Sequence, residues 1–215
     1  MNKTYIFKEF IELLTAQELS SYLSSKICHD LISPVSAINN VIELCELDGL
    51  EDDIFDLLKL SAKSASKKLQ FARMAFGASG GKKSAIDHGE MIKVIKDYLK
   101  ANKAQISLIN IHSDILKSSA KLLLNLLVIV TESAPKCTIS IDSLSPTDFI
   151  ITTQADRIKL PKEIIEIGEG KLSKDDINAH NIQQYYTLAL SKEDNIFIEL
   201  DISDTQMVIK AKQLD

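Results

Sequence analysis

The chain has 215 residues, enough for one large domain or two small ones with a sizeable hydrophobic core. Hydrophobic residues make up 45% and charged residues 26%, as in ordinary soluble proteins, which excludes a disordered or fibrous chain. The formal net charge of -5 argues against a protein that binds nucleic acid backbones.

The cysteines and the N-terminus indicate the compartment. No CxxC or CxxH pair occurs, so neither a disulfide framework nor a zinc site is predicted from Cys28, Cys45 and Cys137. Glutamates at positions 9, 12 and 18 are incompatible with the apolar core of a signal peptide. The longest apolar run, 122–130, is far shorter than the roughly 20 residues of a membrane span. We expect a cytoplasmic protein.

The first third of the chain predicts two long helices. From Ala16 to Leu47 apolar side chains recur every three or four residues, which is the period of a helix stripe. The stripe consists of Leu19, Leu23, Ile27, Leu31, Val35, Ile38, Ile42 and Cys45. Pro34 lies inside this pattern, where it removes one backbone donor and is expected to kink the helix without ending it.

A second helix and a domain boundary follow. A polar turn at 48–53 ends the first helix, and a second apolar stripe runs from Ile54 to Phe76. The segment 77–83 holds three of the seven glycines and is the clearest boundary in the sequence. We predict a helical-hairpin domain at 1–78 and a second domain at 84–215.

The two predicted helices do not form a complete unit alone. Each is about 40 Å long, and a single hairpin leaves part of each apolar stripe uncovered. A second hairpin would complete a four-helix bundle. We therefore expect a homodimer that forms such a bundle.

The second domain mixes helices and strands. Helices are predicted at 87–102, 115–132 and 178–190, strands at 106–112, 138–144, 149–154, 196–202 and 207–212, and an irregular charged stretch at 156–176. This order indicates a helical layer on one face of a mixed sheet. The predicted fold class is α+β, with a helical hairpin followed by a two-layer α/β sandwich.

The segment 25–34 contains the candidate site. On a helix His29 lies about 160–200° away from Ile27 and Leu31 of the buried stripe, so its ring is expected to point outward. The same outward face collects Tyr22, Ser25, Lys26, Ile32, Ser33, Ser36 and Asn40. A neutral imidazole, with an unperturbed pKa of about 6.5, is a competent nucleophile toward phosphorus. The alternative is an ordinary solvated surface histidine.

The neighbours of His29 suggest supporting roles. Lys26 and Ser33, each about one turn away, could contact phosphoryl oxygens, and Ile32 is an apolar side chain suited to a docking surface. Cys28 is expected to be a small buried neighbour of the stripe. The second helix carries a basic run, interpreted as a solvated face with a partner site as the alternative: Lys59, Lys63, Lys67, Lys68 and Arg73.

The sequence His29-Asp30-Leu31-Ile32-Ser33-Pro34 resembles the phosphoacceptor box of sensor histidine kinases, with an acidic residue after the histidine and a proline five residues after it. Its position on the first helix of a hairpin also matches. Over most of its length the chain is similar to the ChpT-like histidine phosphotransferases of alphaproteobacteria. The resemblance implies that Asp30 orients or electrostatically biases His29, and that the second domain resembles the ATP-binding domain of a histidine kinase.

The features that hold nucleotide in a histidine kinase are incomplete here. The helix 121–129 resembles the asparagine-containing helix that binds Mg²⁺, but Ile129 stands in place of the metal-binding asparagine. No Asp-x-Gly-x-Gly loop is present, since no glycine follows Asp156 in the corresponding stretch. The resemblance therefore implies a degenerate domain that binds no ATP and no metal, with Mg²⁺ brought by a receiver-domain partner.

The leading hypothesis is a dimeric histidine phosphotransferase of a bacterial phosphorelay. It would pass a phosphoryl group from the receiver-domain aspartate of a hybrid histidine kinase, through His29, to the aspartate of a response regulator, without ATP-dependent kinase activity. The alternatives are a divergent sensor histidine kinase core and a non-catalytic dimeric response-regulator adaptor. Neither nucleic acid nor a membrane is expected as a partner.

Overall fold

The computed structural model describes residues 3–7, 12–48, 52–77, 86–193 and 195–214. The helices are α1 (Ala16–Asp48), α2 (Asp52–Phe76), α3 (His88–Ala101), α4 (Lys117–Ser133), α5 (Lys162–Gly168) and α6 (Ile182–Glu193). The strands are β1 (Lys3–Phe7), β2 (Gln105–Asn110), β3 (Thr138–Ser143), β4 (Phe149–Gln154), β5 (Ile196–Ile202) and β6 (Gln206–Gln213). A helical hairpin is thus joined to a mixed α/β sandwich, and the predicted α+β class is confirmed.

The hairpin α1–α2 forms where the apolar period predicts it. A capping box starts α1: the Thr15 hydroxyl accepts the Glu18 N–H at 3.3 Å, and the Glu18 carboxylate accepts the Thr15 N–H at 3.0 Å. Pro34 lies inside α1 and does not end it, as predicted. Residues 49–51 of the predicted turn at 48–53 and residues 78–83 of the glycine-rich boundary at 77–83 lie outside the described residues.

The six strands of the described residues lie in one sheet, in the order β1-β5-β6-β4-β3-β2. Only the β2–β3 pair is parallel, and the other four pairs of described strands are antiparallel. Buried residues alternate with half-buried ones along β3 and β4, as expected when one face of a sheet packs against a core. The prediction of a helical layer on a mixed sheet is confirmed, with β4 and β5 at their predicted bounds.

Three elements differ from the prediction. The first is β1, which the sequence did not predict and which pairs antiparallel with β5. The start of the predicted hairpin domain therefore contributes a strand to the sheet of the second domain. α5 forms within the stretch predicted to be irregular. α6 begins at Ile182 rather than 178, because Asn178 and Asn181 form a turn in which the Asn181 side chain accepts the Asn178 N–H at 2.8 Å.

The hairpin packs directly on the helical layer of the sandwich. The Phe71 and Tyr98 rings stack with centroids 4.2 Å apart, which joins α2 to α3. The Phe76 and Tyr186 rings lie 5.8 Å apart and join α2 to α6. These contacts hold α2, the hairpin partner of α1, against α3 and α6. The division into two domains at 78–84 stays a prediction.

Large apolar side chains remain exposed along the hairpin. They are Ile32, Val35, Ile42, Leu44, Phe55, Leu57, Leu60 and Leu69. Val35 and Ile42 belong to the stripe predicted to be buried, so in a single chain part of that stripe is uncovered, as the dimer hypothesis requires.

Among the described helices, none is both long and apolar enough to cross a membrane.

Candidate functional site

His29 projects from the middle of α1 into solvent. Its side chain is 82% exposed, so the ring points outward as expected from its place on the helix. The ring atom Nδ1 lies 3.5 Å from a carboxylate oxygen of Asp30. This position directs Nδ1 toward the acid and leaves Nε2, on the opposite edge of the ring, open to a reaction partner.

Asp30 is held by two lysines from different helices. The ammonium of Lys26, one turn earlier on α1, lies 3.3 Å from the Asp30 carboxylate. The ammonium of Lys68 on α2 donates to the backbone carbonyl oxygen of Asp30 at 2.9 Å. Sequence reasoning assigned Lys68 only to a basic run, because nothing in the local pattern of α2 indicates which α1 atom it meets.

The predicted outward face divides into two parts. Exposed around His29 are Ser25, Ile32, Ser33, Ser36 and Asn40, with Ile32 at 61% exposure. The other two members turn toward the sandwich: Tyr22 is half-buried against the hydrophobic core, and the Lys26 side chain is only 18% exposed. The expectation that Cys28 is buried is wrong; its side chain is exposed, because its position lies on the flank of the stripe rather than within it.

A cleft of about 520 Å³ lies between the hairpin and the helices α3, α4 and α6, on the Asp30 side of His29. Apolar atoms of Phe71 and Val128 lie at its walls. Its charged lining includes Lys67, which contacts the Asp97 carboxylate at 2.6 Å and so ties α2 to α3. Glu132 also lines the cleft, and sequence reasoning gave no signal for it.

The carboxyl of Glu132 has an unusual environment. Its partial burial raises its pKa, and the nearby Asp30 carboxylate adds to this rise while Lys26 opposes it. The side-chain N–H of Gln184 donates to Glu132 at 3.2 Å. Lys26 therefore lies between two acids, Asp30 on the hairpin and Glu132 on the sandwich.

The α4 helix does not offer the groups that a nucleotide-bound Mg²⁺ requires. Asn125 is fully buried, and its amide donates to the carbonyl oxygens of Ala75 at 3.1 Å and Lys121 at 2.8 Å. Its oxygen accepts the Gln183 side-chain N–H at 2.6 Å. Ile129, one turn later, is a core residue at 1% exposure. Asn125 thus joins α4 to α2 and α6, and the residues present do not fit a magnesium site.

The segment 155–159 likewise does not form an open loop for phosphate or adenine. Three of its backbone N–H groups already donate within the protein: Ala155 to Thr205 at 3.1 Å, Ile158 to Asp204 at 2.8 Å, and Lys159 to Ser133 at 2.9 Å. The segment also has no glycine, the residue that lets a backbone approach a ligand most closely. The segment closes the end of the sandwich next to β4.

Comparisons with known proteins assign the class. The sequence model of the histidine phosphotransferase C-terminal domain matches residues 88–206, which include most of the sandwich. The chain belongs to this histidine phosphotransferase family, and the resemblance inferred from its sequence is confirmed.

Two relatives extend this similarity over nearly the whole chain. Protein phosphotransferase ChpT of Brucella abortus (strain 2308) is 37% identical over 204 residues, covering 93% of this chain and 97% of that protein. A solved structure of a bacterial phosphotransferase is 35% identical and superposes with a TM-score of 0.83, covering 95% of this chain and all of the other. The hairpin that carries His29 is therefore part of the shared architecture.

Proposed function

We propose that this histidine phosphotransferase carries a phosphoryl group on His29 between the aspartates of two receiver domains. The observation that carries the assignment is the 82% exposed imidazole beside a tethered carboxylate, near the middle of α1. An aspartyl phosphate buried in the pocket of a receiver can be reached only by a nucleophile that projects from its own surface.

The geometry favours one ring nitrogen as the nucleophile. A carboxylate beside Nδ1 favours the neutral tautomer that carries its proton there, which leaves the lone pair on Nε2. Nε2 attacks the phosphorus in line, an N–P bond forms, the P–O bond to the donor aspartate breaks, and that carboxylate leaves with the bonding electrons. Attack by an acceptor aspartate on the phosphohistidine reverses these changes and restores the neutral ring.

The supporting residues act mainly through position and charge. Asp30 holds the Nδ1 proton and stabilises the positive charge that develops on the ring, and Lys26 fixes the Asp30 carboxylate. The Ser33 hydroxyl, one turn after His29 and exposed, can donate to a phosphoryl oxygen. The Mg²⁺ needed for charge neutralisation is assigned to the receiver partner.

The exposed face around His29 is the proposed docking surface. It consists of Ser25, Ile32, Ser33, Ser36 and Asn40, with Tyr22 at its edge. Small polar side chains let a receiver approach the helix closely, and Ile32 supplies a single apolar anchor. The donor is the receiver domain of a hybrid histidine kinase and the acceptors are response regulators. A cytoplasmic location is part of the same proposal.

A homodimer is proposed for the hairpin. On α1, Val35 and Ile42 are exposed and nearly in line along the helix, at a large angle from His29. On α2, Leu60 and Phe55 are exposed as well. A second hairpin would cover these side chains in a four-helix bundle and leave His29 open.

ATP has no part in the proposed reaction. Ile129 fills the position of a metal ligand with a core side chain, and three of the five backbone N–H groups of 155–159 donate within the protein. Both observations weigh against the rival interpretation of a divergent kinase core. An adaptor without chemistry would not need a tethered Asp30 beside an exposed histidine.

The experiment that tests the site is acceptance of phosphate from a phosphorylated receiver by His29→Gln. This change keeps the size and polarity of an exposed side chain, so the fold should be retained while acceptance is abolished. His180→Gln, which alters another exposed histidine, is the matched control and should accept phosphate like the unaltered chain. Acceptance by the His29 variant would refute the site.

A further inference from the structure

Pro34 creates a defect in the hydrogen bonding of α1. In an α-helix the N–H of each residue donates to the carbonyl four residues earlier. Proline has no N–H, so the carbonyl of Asp30 lacks its helical donor. This free carbonyl belongs to the residue directly after His29.

Lys68 supplies the missing donor from the neighbouring helix. Its ammonium donates to the Asp30 carbonyl oxygen at 2.9 Å, across the α1–α2 hairpin. Other lysines of the same basic run are used differently: Lys67 pairs with Asp97, and Lys59 pairs with Asp56 on its own helix. Lys68, by contrast, donates to the carbonyl whose helical donor Pro34 removes.

Asp30 is consequently fixed at two points. Lys68 holds its backbone and Lys26 holds its carboxylate, while that carboxylate lies beside Nδ1 of His29. Without the Lys68 contact, the helical turn between Asp30 and Pro34 would have one hydrogen bond fewer. Asp30 would then be held from outside its own turn only by the ion pair between its carboxylate and Lys26.

We propose that Lys68 is a positioning residue for phosphoryl transfer, which replaces the hydrogen bond lost at Pro34 and thereby holds Asp30 and the His29 ring in the reactive orientation. This inference rests on the proposed function of His29. An ammonium is well suited to the role because a charged donor forms a stronger bond to a carbonyl than a neutral one does. Lys68 does not touch the phosphoryl group; it acts through Asp30.

The first test compares Lys68→Met with Lys63→Met, which removes a charge from an exposed position of the same helix. With a phosphorylated receiver as donor, Lys68→Met should lower kcat roughly three- to tenfold and leave KM little changed, since one hydrogen bond is lost. Lys68→Arg should recover most of the rate, because a guanidinium can also donate to the carbonyl. A change in KM alone would identify Lys68 as a docking residue and overturn the proposal.

A second test uses Pro34→Ala, which restores a backbone N–H at the position that lacks one. Alanine is a better helix former than proline, so the helix should remain intact. In this background Lys68→Met should have almost no further effect on kcat, since the Asp30 carbonyl has a helical donor again. An unchanged effect of Lys68→Met would show that Lys68 does not act through that carbonyl.

An NMR measurement separates this inference from the proposed function. Lys68→Met should shift the ¹³C resonance of the Asp30 carbonyl and should shift and broaden the ring resonances of His29. Lys63→Met should change neither. If these resonances do not move, the inference is wrong even if His29 accepts phosphate. If they move but the unaltered chain takes no phosphate from any receiver, the proposed function fails and Lys68 keeps only a structural role.

Discussion

The Glu18 carboxylate lies 2.6 Å from the ammonium of Lys174, and this ion pair joins the first turn of α1 to the loop before α6. The same carboxylate accepts hydrogen bonds from the backbone and the hydroxyl of Thr15. Tyr185 on α6 strengthens the connection, because its hydroxyl accepts the backbone N–H of Leu13 at 2.8 Å. The helix that carries His29 is thus attached to the sandwich at its beginning, in addition to its contacts through α2.

These contacts predict a pH-dependent contribution to stability. The hydrogen bond from Lys174, followed by those from Thr15, lowers the pKa of Glu18 to about 2. Because this value lies below that of an unfolded glutamate, about 4.3, the stabilisation is complete above pH 4.3 and is lost as the pH falls toward 2. In urea unfolding, Glu18→Gln should be less stable than the unaltered chain at pH 7, and the two should converge near pH 2.

Glu43→Gln provides the matched control, since Glu43 is an exposed acid on the same helix. This variant should unfold at the same urea concentration as the unaltered chain at both pH values. A difference between Glu18→Gln and the unaltered chain that persists undiminished at pH 2 would contradict the assigned ion pair.

Ile32 tests the docking surface. Ile32→Asp places a charge on a 61% exposed position one turn from His29, so the helix should remain folded. Binding of a receiver domain, measured by calorimetry, should weaken by about 1–3 kcal/mol, the usual cost of a damaged interface anchor. Leu144→Asp adds the same charge to a 56% exposed leucine after β3 and should not affect binding. Equal losses from both variants would indicate a general charge effect instead.

Ile42 tests the homodimer. Ile42→Asp introduces a charge on the exposed apolar side of α1 that a second hairpin would cover. Sedimentation analysis should show at least a roughly tenfold rise in the dimer dissociation constant, because a buried unpaired charge is costly at an interface. Asn40→Asp, on the side of α1 that carries His29, should leave the dimer intact. A dimer unaffected by Ile42→Asp would mean that the bundle interface lies elsewhere.

Much of the fold is predictable because its signals are local. The period of apolar residues identifies α1 despite the interruption at Pro34, and the alternation of apolar and polar residues identifies β3. β1 has no comparable signal: it is an edge strand of five residues whose partner β5 lies at the far end of the chain, so only tertiary pairing defines it.

The candidate site is predictable only in part. The exposure of His29 and Ile32 follows from helix phase alone. The roles of Lys26 and Tyr22 do not, because the sandwich covers one flank of the predicted outward face. Pro34 indicates a free carbonyl at Asp30, but its donor comes from another helix and its identity depends on how α1 and α2 pack.

Phosphoryl transfer through His29 is tested most directly by incubating the purified chain separately with a phosphorylated receiver domain and with radiolabelled Mg-ATP. Label is expected from the receiver only, as an acid-labile and base-stable phosphate located on His29 by mass spectrometry. No label is expected from ATP, since Ile129 is a core residue and three backbone N–H groups of the segment 155–159 already donate within the protein. Self-labelling from ATP, or phosphate carried on any residue other than His29, would contradict the proposed ATP-independent transfer through His29.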